Sequence, residues 1–173
     1  MKSYNARSTI TAGGPAQKIT ISVDTGFDKL FKRLDEWAAR VLSEEIMAAL
    51  ERAGVRFLQG MLPEWPVWSG RSASAWTPFL DEMGEFYAIS PDPKAPTRVA
   101  EGYKQGKFRR SFGKTEIALT LYNQAQEDNF YYPVELIEYH GTEKHPDSKG
   151  IVRRHAREIP RLMSEEFSKI KGP

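Results

Sequence analysis

Between Thr25 and Phe57 the apolar residues recur at helical spacing for longer than a small domain needs, and the chain then stops that pattern abruptly. Leu30, Leu34, Trp37 and Val41 are followed by Leu42, Ile46, Ala49, Leu50, Ala53 and Phe57. Their stripe drifts slowly around the axis, as a period of 3.6 residues requires. Glu44, Glu45, Glu51, Arg52 and Arg56 occupy the other side. Thr25, three residues before Asp28, resembles a capping box and marks the start. A helix of about 35 residues is roughly 50 Å long. Either Gly54 breaks it, at a cost of about 1 kcal/mol for glycine in a helix interior, or a partner covers one end. Leu62-Pro63 and Trp65-Pro66 end it, because proline lacks the amide proton and drives its predecessor out of the helical region.

The stop runs into Trp65–Trp76, WPVWSGRSASAW. Ser69-Gly70 is a turn signal. Large aromatics beside a turn are core or interface anchors, and Trp65, Trp68 and Trp76 are read so, with Trp37 and Phe57 on the helix. Beyond the corner, 72–80 reads as a strand, of edge or bulged type because Pro78 cannot donate to a ladder. Asp81–Gly84 is a turn and 86–90 the return strand. Residues 91–114, with three prolines and three glycines, read as a long inserted loop. Thr115–Tyr122 (TEIALTLY) is the cleanest strand, with Ile117, Leu119 and Leu121 on one face. The expected sheet is therefore 72–80, 86–90 and 115–122, antiparallel. Before the helix, 1–18 reads as a flexible N-terminal arm and Ile19–Val23 as a short strand. After the sheet, 131–139 reads as a short helix closed by His140-Gly141. Ile151–Ile170 reads as an amphipathic helix with a kink at Pro160. The fold class is α+β: N- and C-terminal helices on a small antiparallel sheet, in one domain spanning 19–173.

With 173 residues, 40% of them hydrophobic, one domain with a real core is expected. The opening MKSYNARSTITAGG has no apolar core of signal-peptide length, and no apolar run suggests a membrane span. The absence of Cys excludes disulfides, thiolate metal sites and Cys nucleophiles. His140, His145 and His155 lack metal-ligand spacing. Ser69 and Ser72 have no His at nucleophile spacing, and no glycine-rich loop with lysine opens a helix. The expectation is a protein that is not an enzyme and holds no metal or cofactor.

A net charge of +2, from 25 basic and 23 acidic residues, points to no polyanion by itself. The charge is clustered, however. From Arg98 to Lys114 stand Arg98, Lys104, Lys107, Arg109, Arg110 and Lys114 against the single acid Glu101, with Tyr103, Phe108 and Phe112 interleaved. Basic residues mixed with aromatics suit a nucleic-acid contact. They suit equally a loop that docks on an acidic protein. The pattern leaves both open.

Two stretches carry a family resemblance. PVWSGRSASAW, 66–76, resembles the stretch P-V-x-[ST]-G-x-L-x-x-S-[IW] that follows the long first helix in the neck or tail-completion proteins of long-tailed phages, the minor tail protein Z-like family. LTLYNQAQEDNFYYPVELIEYHGT, 119–142, resembles that family's strand, Asn and YA-x-x-[VI]-E-[FY]-G-T stretch. Asn123 ends the strand, Tyr132-Pro133 takes the YA place, and Glu138, Tyr139, Gly141 and Thr142 take the E-[FY]-G-T places with His140 inserted. Trp68 stands where a small or acidic residue is usual, Ser72 where Leu is common, and 91–114 is longer than the family pattern. The resemblance covers roughly 28–170 and implies a structural virion protein without catalysis. Subunits would form a ring, six-fold in preference to twelve-fold, at the head–tail junction, leaving a channel for DNA. Its neighbours would be head connector or adaptor proteins and tail terminator or tail-tube proteins. It would be made in the host cytoplasm and reside in the virion. Gly70, Glu138 and Gly141 join the aromatics as structural anchors in this reading, and 98–114 contacts a partner or lines the channel. The alternative is a small nucleic-acid-binding protein that works through the same loop.

Overall fold

The computed structural model describes residues 5–11, 17–24, 36–113, 116–126, 137, 141–142 and 145–170. They form an α+β fold built on a four-stranded antiparallel sheet. Strands β1 (Asn5–Thr11) and β2 (Gln17–Asp24) pair first, β4 (Glu116–Asn123) lies beside β2, and β3 (Gly106–Phe112) closes the far edge. The spatial order is β1-β2-β4-β3. The period-two pattern places Ile19, Ile21 and Val23 of β2 beside Leu121, Leu119 and Ile117 of β4, and all six are buried.

That apolar face is covered by α1 (Glu36–Met61), a single helix of 26 residues, about 39 Å long. Leu50, Ala53, Phe57, Leu58 and Met61 are buried in the common core. Gly54 is no break. A Cβ there would stand 2.9 Å from Leu119 Cδ2, so the missing side chain lets helix and sheet approach closely. The helix ends in a short 3-10 turn, Leu62–Glu64, with Pro63 in its first turn.

The corner differs from its sequence reading. Residues 72–80 are not a strand: they form two short helices, α2 (Arg71–Ser74) and α3 (Thr77–Glu82). Pro78 sits in the first turn of α3, where its missing amide costs nothing. With no strand at 72–80, the segment 86–90 has no ladder to join. It runs extended, half-burying Tyr87 and Ile89 and leaving Phe86 exposed.

Residues 91–114 also carry structure of their own. Helix α4 (Val99–Gln105) leads straight into β3. At the other edge, Asn5–Thr11, read from sequence as part of an arm, is strand β1, paired along its length with β2. The C-terminal helix read as 151–170 is two helices, α5 (Ile151–Ala156) and α6 (Ile159–Phe167). The break falls at Arg157-Glu158, and Pro160 lies in the first turn of α6 rather than at a bend inside one helix. Of 131–139 only Ile137 is among the described residues; it is helical and buried. The start of the long helix at Thr25–Asp28 lies outside them.

Candidate functional site

The basic-aromatic segment is a helix and an edge strand anchored to the Trp corner. Asn123, the last residue of β4, is buried. Its Nδ2 donates to the Ser72 carbonyl (2.7 Å) and its Oδ1 accepts from the Ala125 amide (3.1 Å). Ser74 Oγ donates to the Val99 carbonyl (2.8 Å), and Arg71 Nε donates to Gln105 Oε1 (2.9 Å). The Arg98 amide donates to the Ser69 carbonyl (2.8 Å), which fixes the start of α4. Gly102 and Gly106 permit this docking: a Cβ on the first would lie 1.9 Å from the Arg71 carbonyl oxygen, and on the second 2.1 Å from that of Ala75. Gly70 has φ of 79°, a backbone conformation that side chains rarely adopt, and precedes α2.

Trp65 and Trp76 are buried edge to face, 5.9 Å between ring centres, and Trp65 Nε1 donates to Ser72 Oγ. Trp76 Nε1 is buried without a hydrogen-bond partner among the described residues. Trp68 is not a core anchor: its side chain is 52% exposed. Phe57 is buried. The Trp37 side chain, Glu138 and Lys114 lie outside the described residues. The Gly141 amide donates to the Ile137 carbonyl (3.1 Å).

Strand pleat sorts the remaining members of 98–114 into two groups. Phe108 and Arg110 point to the helix side. Phe108 packs edge to face on Phe79 (5.5 Å). Arg110 lies over the Phe108 ring, pairs with Glu51 of α1 and reaches Glu82 of α3 (3.6 Å). This arginine is structural. Lys107 and Arg109 alternate with them and are exposed on the opposite face. Tyr103 is 40% exposed, and its hydroxyl bonds to Asp81, which with partial burial raises the phenol pKa. Lys104 is exposed on α4, and Phe112, 56% exposed, ends β3.

Register adds residues that the loop reading missed. Across the outer sheet face, Lys107 lies opposite Tyr122, and Tyr122 opposite Lys18; Arg109 lies opposite Thr120, and Thr120 opposite Thr20. Lys18, Thr20, Thr120 and Tyr122 are half-buried. The two threonine hydroxyls hydrogen-bond each other (3.2 Å). Both residues flanking β4 here are cationic, and among the described residues neither Lys18, Lys107 nor Arg109 has a carboxylate partner. Lys18 and Tyr122 occupy the polar positions of two alternating strands, a signal readable only once their pairing is known.

A second charged cluster is structural. The Glu166 carboxylate is buried yet receives Arg52 Nε (2.7 Å), Arg56 Nη1 (3.3 Å) and Lys169 Nζ (2.7 Å), tying α6 to α1. Burial alone would raise its pKa. Lys169 and Arg52 more than offset that, and the carboxyl titrates below the ordinary glutamate value.

Among the described residues there is no group of three His, Asp or Glu placed to hold a metal ion, and no helix long and apolar enough to cross a membrane. Comparison with protein-family models, curated proteins and solved structures returned no match for this chain.

Proposed function

We propose that this chain is a structural subunit of the phage neck or tail-completion type. Its copies form a ring that joins the connector of a DNA-filled head to the tail. Support comes from the two stretches that resemble that family and from one structural observation. Helix α1 begins well before the core: its described side chains from Ala39 to Glu45 are exposed or half-buried, and the first buried one is Ile46. Val41 and Leu42 continue the apolar stripe there only half-buried, Leu42 packing on the edge of the core. An apolar stripe left half-open where it runs past the core is suited to a neighbouring subunit. Six copies are preferred to twelve. Connector or adaptor proteins on one side and tail terminator or tail-tube proteins on the other are the partners, with DNA passing through the middle. The protein is made in the host cytoplasm and ends in the virion.

The test is the mass of the purified protein in solution, alone and after mixing with head or tail intermediates. A closed ring, or a monomer that becomes a ring on its partner, is expected. A monomer that ignores both heads and tails overturns the reading.

A further inference from the structure

We infer that the open end of the outer sheet face is a sequence-independent contact surface for a nucleic-acid backbone, with Lys18, Lys107 and Arg109 meeting phosphates around Tyr122. Lys18 lies far in the chain from the strand that carries Lys107 and Arg109, and register alone brings it to them. Lys18 and Lys107 flank β4 from opposite sides, so their backbones are about 10 Å apart; Lys107 and Arg109 are about 7 Å apart along β3. Between them lie the Tyr122 phenol and the Thr20–Thr120 pair. In that pair one hydroxyl donates to the other, so one proton stays available to an outside acceptor. Cations interleaved with hydroxyl donors are the usual complement of phosphate oxygens.

The face is polarised. Its other end carries Glu116, about 20 Å along β4 from Tyr122. Ser22 and Ala118, between the two ends, are buried, so among the described residues the open part without a carboxylate partner is the basic part. Arg110 has no share in this surface, because it points to the other face and is neutralised by Glu51 and Glu82. One tyrosine supplies no base-reading array, so binding is to the backbone and is weak. That suits a polyanion that must slide past. The inference rests on the particle reading only for which polyanion is met. The ring is judged by mass and this surface by titration of the isolated chain, so either can fail without the other.

The experiment titrates a labelled DNA duplex of about 20 base pairs with the full chain and follows anisotropy at several salt concentrations. Three phosphate contacts give a slope of about −2.7 in log affinity against log salt, a fall of roughly 40-fold between about 50 and 200 mM. K107Q alone makes the slope shallower by about 0.9. K18Q/K107Q/R109Q abolishes binding while its thermal melting stays that of the wild type. K94Q/K149Q/R157Q removes the same charge from exposed positions off the sheet and binds like the wild type. The inference is overturned if the wild type fails to bind at the lowest salt. It is overturned equally if the off-sheet variant loses as much as the sheet variant. Poly-L-glutamate binding as tightly as the duplex would replace it with an acidic protein partner.

Discussion

The two faces of the sheet are made by the same strands and obey different physics. In β4, Ile117, Leu119 and Leu121 are buried against α1, while Thr120 and Tyr122, their immediate neighbours, stay half-open among lysines and an arginine. The contrast is sharpest in two consecutive arginines. Arg110 is held by Glu51, Glu82 and the Phe108 ring, whereas Arg109 faces outward. A pleat of two residues per repeat sends one into the packing and the other to solvent. Composition therefore said little about this segment: Phe108 and Arg110, which read as part of a basic binding loop, hold the fold together.

The contrast can be broken by substitution, most severely on the inner face. Leu119→Ala removes a side chain with no exposure and should cost about 2–5 kcal/mol in denaturant unfolding. A loss below about 1 kcal/mol would mean that α1 does not seal that face. Next in size is the arginine pair. Arg110→Ala leaves Glu51, which is only 14% exposed, without its cation and should cost about 1–3 kcal/mol. Arg109→Ala should stay within about 0.5 kcal/mol. Equal effects in thermal melts would contradict the assignment of the two arginines to opposite faces.

The smallest effect depends on pH and concerns the layer behind the inner face. Glu166 titrates lower in the folded chain than in the unfolded one, so it stabilises the fold above the ordinary glutamate pKa of about 4.3. That stability is lost as pH falls through the folded value. The stability difference between wild type and Glu166→Gln should accordingly be largest near neutrality and shrink below about pH 4. A difference that does not change with pH would show that the ion pairs with Arg52 and Lys169 contribute nothing.

Sequence pattern was a good guide wherever one residue type dominated a face. The alternation of β4, the core half of β2 and the stripe of α1 from Ile46 to Phe57 stand where periodicity put them, while Leu30, Leu34 and the Trp37 side chain lie outside the described residues. It failed where a charged side chain took an inward position. GKFRRSF alternates Phe108, Arg110 and Phe112, and an arginine in the middle hides the period. It failed again at Pro78, which reads as a strand defect but is at home in the first turn of a short helix. The corner's role as an organiser was legible from its prolines, turn and tryptophans. The outer surface was not, because Lys18 and Lys107 are brought together only by the pairing of β2, β4 and β3.

The close approach at Gly102 and Gly106 has a consequence for how this molecule opens. Both positions meet the corner backbone directly, with no side chain between to slide or repack. The start of the edge strand, at Gly106, is therefore tied to the corner and should not peel away on its own, as edge strands commonly fray. The corner, α4 and β3 open together or stay closed together, as one cooperative unit. The β3 amides that donate to β4 should accordingly exchange no faster than those of the Trp corner, although among the described residues their strand is paired on one side only; faster exchange in β3 would contradict a shared opening.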